Sequence, residues 1–268
     1  MSASEDGNGG SFARLLTVVR ELRQRCPWDR EQTEASLANH LVEEAYEALD
    51  AIASGEAEAI TDELGDVITQ ALAIGVIAEE AGRASVNGIL EHVAAKLIRR
   101  HPHVYGEDEA ATAAQVVANW NQIKQEERRN SGAVSALDGI ARALPALTRA
   151  QKLGTRARQA GMDWRDIHEV LAKVREEMDE VEGALARNDP DAAAEELGDM
   201  LLALANAPRF IGHDAEETLR NAGEKFSERF KNVERITAER GLDLQQLSQD
   251  EIEKLWQEAK LIYSLEAR

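Results

Sequence analysis

The sequence predicts an all-α protein made of tandem duplicated helical-bundle domains, and three observations predict it. From Phe12 onward apolar residues recur at helical spacing almost throughout, and only five prolines interrupt them. Strand signals are missing: there is no sustained alternation, and no Asn-Gly or Asp-Gly pair flanked by alternating runs. The second half of the chain then repeats the chemistry of the first. Charged residues at 30% against aromatics at 4% also suit helices better than a β-sandwich, and 268 residues are enough for two domains that each bury a core.

Taken in order, residues 1–10 are rich in Gly, Ser and acids and are expected to be disordered. An N-terminal domain is expected over 11–129. Its first acidic helix runs from His40 to Ala53, with Leu41, Ala45, Ala48 and Ile52 forming a stripe that should face the core. A second acidic helix carries Ile60, Glu63 and Val67, and His101-Pro102-His103 reads as a helix stop. The small, polar run 130–136 is the expected linker. The C-terminal domain, 137–268, answers the first residue for residue in several places. Trp28 matches Trp164, and Trp120 with Lys124 matches Trp256 with Lys260, at an offset of 136; Lys96 and Arg100 match Lys225 and Arg229 at 129. Such shifts are what changes in loop length produce.

The most informative repeat is acidic. Glu44 and Glu47 are followed by Glu63 and Asp66, and 133 residues later Glu177 and Glu180 are followed by Glu196 and Asp199. Acids three apart project from one helix face, so two such helices packed together would bring four carboxylates to one place. Glu44 falls inside the apolar stripe, and Glu63 lies between Ile60 and Val67. Acids that only solubilise a helix sit on its opposite face. Carboxylates crowded in this way repel one another and need countercharge, which a hard divalent metal with oxygen ligands supplies. Neither acidic constellation contains a histidine, and Cys26 is the lone cysteine, which argues against zinc. No histidine follows a Glu by three positions, as carboxylate-bridged di-iron bundles require. Mg²⁺ is therefore the expected ion, with Mn²⁺ as the alternative.

Mg²⁺ bound by part of its shell commonly takes a phosphate-bearing substrate, and the downstream bases fit one. Lys225 and Arg229, like Lys96 and Arg100, stand four apart on one helix face, where an arginine could grip a phosphate with two parallel bonds. Either pair could equally be an ordinary surface pair near a helix C-terminus. Trp120 and Trp256 could stack on a base or close the core, and core packing is the expectation for Trp120. Gly65 and Gly198, inside the second acid pairs, each cost about 1 kcal/mol in a helix, which a close backbone approach or a kink would justify.

Bulk charge narrows the partners. Fifty acids against 31 bases give −19, which excludes nonspecific nucleic-acid binding as an expectation. One cysteine permits no internal disulfide and fits a reducing compartment. The first residues lack a basic region followed by an apolar core, and no apolar run approaches the ~20 residues of a membrane span. The expectation is a cytoplasmic protein with no membrane association.

Several segments together resemble the MazG family within the all-α group of nucleoside triphosphate pyrophosphohydrolases: CPWDREQT (26–33), LVEEAYEALDAI (41–52), DELGDV (62–67), RRHPHVYG (99–106), VREEMDEVEGAL (174–185), EELGDML (195–201) and KFSERFKNVERI (225–236). The likeness covers nearly the whole chain. It implies Mg²⁺-dependent hydrolysis of nucleoside and deoxynucleoside triphosphates to monophosphate and pyrophosphate, by a homodimer. By position, Glu177, Glu180, Glu196 and Asp199 would hold metal in the second half, and Lys173, Lys225, Arg229 and Trp256 would contact the nucleotide. Glu44, Glu47, Glu63 and Asp66 are the equivalent acids of the first half, where His40 stands in place of Lys173. The chain departs from the family pattern at Gly223, usually Asn, and at Pro208, which should interrupt the helix after Leu201. Two rival functions stay open: a narrow pyrophosphatase for dUTP or a damaged nucleotide, and a non-enzymatic acidic regulatory dimer.

Overall fold

The computed structural model describes residues 8–130, 132 and 134–266, and among them there are twelve α-helices and no strand. The chain divides into two compact units, the first ending at Glu127 and the second beginning at Arg128. In the first unit, α1 (Asn8–Arg25) and the short α2 (Pro27–Glu31) precede α3 (Glu34–Ser54) and α4 (Ala57–Glu80). α5 (Val86–Arg100), the single turn α6 (Pro102–Tyr105) and α7 (Ala113–Asn130) follow. The second half contains α8 (Ala146–Gln159), α9 (Ile167–Ala186), α10 (Pro190–Leu204), α11 (Ala215–Arg240) and α12 (Gln249–Glu266). No described helix is long and apolar enough to cross a membrane.

Each half is organised around an antiparallel hairpin, α3 against α4 and α9 against α10. The first begins at a capping box, in which Thr33 and Ser36 each bond the other's backbone N–H. It turns at Gly55, whose φ of 73° suits a residue without a side chain. The second starts at Asp166, which accepts from the amides of His168 and Glu169. It turns through Asn188 at φ 53°, a conformation asparagine tolerates, and Asp189 and Pro190 restart the chain as α10.

The buried clusters lie partly beside these hairpins and partly between other helices. Leu16 and Val19 of α1 pack on Leu72 and Val76 of α4 and on Val86 of α5. In the second unit Val233 and Ile236 of α11 meet Leu255 and Ala259 of α12, with Trp256 against them. Ala150 of α8 joins Ala205 and Ala215 in a smaller cluster. There Gly154 lies so close to the buried Asn206 that a Cβ built on it would stand 1.7 Å from Asn206 Oδ1. An apolar cavity of about 560 Å³ between α8, α10 and α11 is lined by Leu147, Leu201, Leu204, Ile211 and Leu219 among others, and by none of the candidate acids.

Several expectations are corrected here. Of the segment 1–10, residues Asn8 to Gly10 form the first turn of α1, because a nucleated helix gains a bond for each residue it adds; residues 1–7 lie outside the described residues. The stripe on α3 is only partly internal: Leu37, Ala48 and Ala51 are buried, whereas Ala45 is exposed and Ile52 is 54% exposed. α3 packs mainly on α4, so its remaining apolar side is left bare. A Cβ added at Gly65 or Gly198 would meet nothing within 4 Å, so no neighbouring backbone in this chain explains these glycines. The interruption expected at Pro208 is present: α10 ends at Leu204, four residues earlier, where the proline ring would otherwise meet a helical carbonyl, and Pro208 opens a 3₁₀ turn.

Candidate functional site

The two hairpins bring the acids together. Glu44 on α3 and Glu63 and Asp66 on α4 each place a carboxylate oxygen within 4.8 Å of the others, and Glu177, Glu196 and Asp199 do the same on α9 and α10. Helix periodicity explains why each pair shares a face, and the antiparallel packing brings the two faces together. Glu47 and Glu180 are exposed and border these triads, Glu180 within hydrogen-bonding reach of Glu177 and Glu196. They also act on them electrostatically: burial first, and then Glu47, Asp66 and Glu44, raise the Glu63 carboxyl above its ordinary value. Burial followed by Glu180 and Glu177 raises Glu196 likewise.

The donor set fits a hard divalent cation. All six triad side chains are carboxylates, and Glu63 Oε2 is a buried oxygen with no hydrogen-bond partner. A buried acceptor of this kind is costly unless something positive meets it. The halves differ in how they are neutralised. Glu177 is 3% exposed, and the Lys173 ammonium 2.7 Å away holds its carboxyl below the ordinary value. In the first half His40 instead meets Glu43, at 3.1 Å, and so bonds an acid outside the triad. Trp28 stands edge-on to His40 at 6.4 Å, which brings the Cys-Pro-Trp-Asp segment beside the acidic hairpin.

The bases downstream are placed unequally. Lys225 is exposed on α11, and Arg229 is half-buried with its guanidinium carbon 5.2 Å from the centre of the Tyr263 ring. Its Nε is buried without an acceptor. Trp256 packs on the α11–α12 core and 5.3 Å from Phe226. Lys96 is half-buried on α5, whereas Arg100 is held by Glu127 at 2.6 Å and lies 5.3 Å over Trp120. Among the described residues, Lys173 is the one candidate base paired with a triad acid. Motif spacing does not single out Glu127 or Tyr263. The available signal was the offset of 136, which aligns them as the seventh residue after Trp120 and after Trp256. His101 and His103 have ring centres 5.6 Å apart, with Trp120 beside His101.

Comparison with known proteins converges on the same segments. The model of the MazG nucleotide pyrophosphohydrolase domain matches twice, over residues 32–105 and 165–234, so that both acidic hairpins fall within a match. The chain is 44% identical over 252 residues to a nucleoside triphosphate pyrophosphohydrolase of Escherichia coli, covering 92% of this chain and 96% of that one. It is 36% identical over 253 residues to a Thermotoga maritima protein described as nucleoside triphosphate pyrophosphohydrolase/pyrophosphatase MazG, covering 93% and 95%. An uncharacterised protein of Bacillus subtilis is 37% identical over 253 residues, which span 93% of this chain and 51% of that longer one.

Proposed function

The chain belongs to the MazG nucleotide pyrophosphohydrolase family, and on that premise we propose that it hydrolyses nucleoside and deoxynucleoside triphosphates, broadly in base, to monophosphate and pyrophosphate with Mg²⁺. The observation that carries the reading is the pair of carboxylate triads, each converging within 4.8 Å on a two-helix hairpin. Glu177, Glu196 and Asp199, with Glu180 beside them, would hold the cation in the second half; Glu44, Glu63 and Asp66, with Glu47, would do so in the first. A cation bound there would acidify a water for attack on the α-phosphorus and offset the charge of the triphosphate. Lys225 and Arg229 are the groups suited to grip the phosphates and to stabilise charge on the departing pyrophosphate. Trp256, half-buried against Phe226, offers a wall for the base.

The same reading includes a homodimer. Val42 and Ile52 on α3 are 53% and 54% exposed, and Leu201 on α10 is 54% exposed. Exposed apolar side chains on helix faces suit protein contacts, and a second copy of the chain would cover them. Sedimentation at equilibrium should give twice the chain mass. We also place the domains at 11–129 and 137–268, joined through 130–136.

Anion-exchange analysis of ATP and each deoxynucleoside triphosphate, incubated with and without Mg²⁺, tests the activity. Monophosphate and pyrophosphate are expected with Mg²⁺ and neither without it. Diphosphate and phosphate would refute attack at the α-phosphorus. Glu196→Gln should abolish turnover in a chain of unchanged helical content, and undiminished turnover would remove Glu196 from the site.

A further inference from the structure

The two halves treat corresponding arginines differently. Arg100 and Arg229 occupy matching positions, at an offset of 129, and Glu127 and Tyr263 match at 136. In the first half Glu127 takes Arg100 as a forked partner: Nη2 donates to Oε2 at 2.6 Å and Nε to the same oxygen at 3.1 Å. Arg99 Nε donates to the other oxygen at 2.8 Å. Glu127 is only 23% exposed, and these contacts, the Arg100 bond first, hold its carboxyl down at about 2. It therefore stays ionised throughout the working pH range. In the second half an aromatic ring takes the place of the carboxylate. Arg229 lies 5.2 Å over Tyr263, its Nε is buried without an acceptor, and no carboxylate pairs with the guanidinium among the described residues. The position matching Arg99 is Glu228, which turns away to Lys231 at 2.7 Å.

A forked carboxylate uses the same parallel N–H donors that an arginine offers to a phosphate. We infer that Glu127 determines which half grips the triphosphate: it occupies Arg100 from within the chain, while Tyr263 takes none of the terminal N–H donors of Arg229, which are then the ones to meet phosphate. This rests on the proposed role of the two arginines as phosphate ligands. Tyr263 supports the guanidinium without taking its donors, since a ring face attracts the cation but accepts no forked bond. Glu127 is then an internal occupant of the first half's phosphate position. A nucleotide entering there must first displace a charge-assisted pair.

The test titrates the full chain in Mg²⁺ with an ATP analogue bearing a methylene bridge between the α- and β-phosphorus, followed by calorimetry. Arg229→Ala should weaken binding by about tenfold or more, the loss of one charge-assisted contact. Adding Glu127→Gln in that background should recover about tenfold in affinity, now in the first half. Adding Arg100→Ala should remove the recovered binding. Glu127→Tyr, which copies the second half, provides the same test should the amide fail to fold as judged by helical content. If Arg229→Ala weakens binding and neither Glu127 variant restores it, the inference about Glu127 is wrong while the phosphate role of Arg229 stands. If Arg229→Ala binds as the parent does, the role of the arginines fails, and the inference with it.

Discussion

Replacing Gly154 by alanine puts the packing of α8 against the acid-bearing helix α10 to a direct test. The added Cβ would stand 1.7 Å from Asn206 Oδ1, 2.6 Å from its Cγ and 3.0 Å from Nδ2. Asn206 is 2% exposed and its Nδ2 donates to the Leu202 carbonyl at 2.9 Å. The amide can yield only by turning, which breaks that bond, or by moving the turn after α10. Overpacking of this kind costs about 1–3 kcal/mol, and losing a buried hydrogen bond adds about 1 kcal/mol. Alanine in mid-helix returns about 1 kcal/mol of helix propensity. The balance is a net loss of about 2 kcal/mol, a fall of roughly 4–8 °C in the melting of a unit this size. Gly223→Ala is the control, because that glycine is exposed in mid-α11 with nothing within 4 Å of its Cβ position. It should gain up to about 1 kcal/mol. Melting curves followed by helical circular dichroism decide the matter. A Gly154→Ala chain that melts at or above the parent would show that Asn206 relaxes freely, and that helix propensity outweighs the contact.

Three further outcomes follow from the charges. In chelator, the raised carboxyls of Glu63 and Glu196 mean that the native state holds more protons than the unfolded chain at pH values above the ordinary 4.5. Stability of the metal-free protein should therefore decline as pH rises from there, and Glu63→Gln should flatten the decline; an unchanged profile would contradict the crowding. Glu127 works in the opposite direction, since its carboxyl is lowered to about 2, chiefly by Arg100. Its contribution is complete above 4.5 and is lost as pH falls from there toward about 2. Acid unfolding of Glu127→Gln should accordingly show a shallower limb. Finally, Mg²⁺ at a hundred times its dissociation constant should stabilise the chain by about 2.7 kcal/mol for each site. Calorimetric melting should show this shift reduced in Glu196→Gln, and an equal shift in that variant would place the ion elsewhere.

Helical class, duplication and the identity of the metal-binding candidates were all legible in the chain before any packing was known. All three are written in short-range periodicity, which a helix converts into shared faces without help from the rest of the fold: Glu63 and Asp66 lie on one side of α4 wherever that helix packs. Pro208 was legible for the same reason, as its ring forbids a local conformation. Packing between helices, by contrast, left much of the α3 apolar face bare and set Gly154 against Asn206. It also gave Arg100 to Glu127 and laid Arg229 over Tyr263. These outcomes depend on distances between separate helices, which no local periodicity specifies. Two halves can therefore carry the same acid motif and still hold the matching arginines, Arg100 and Arg229, against different partners.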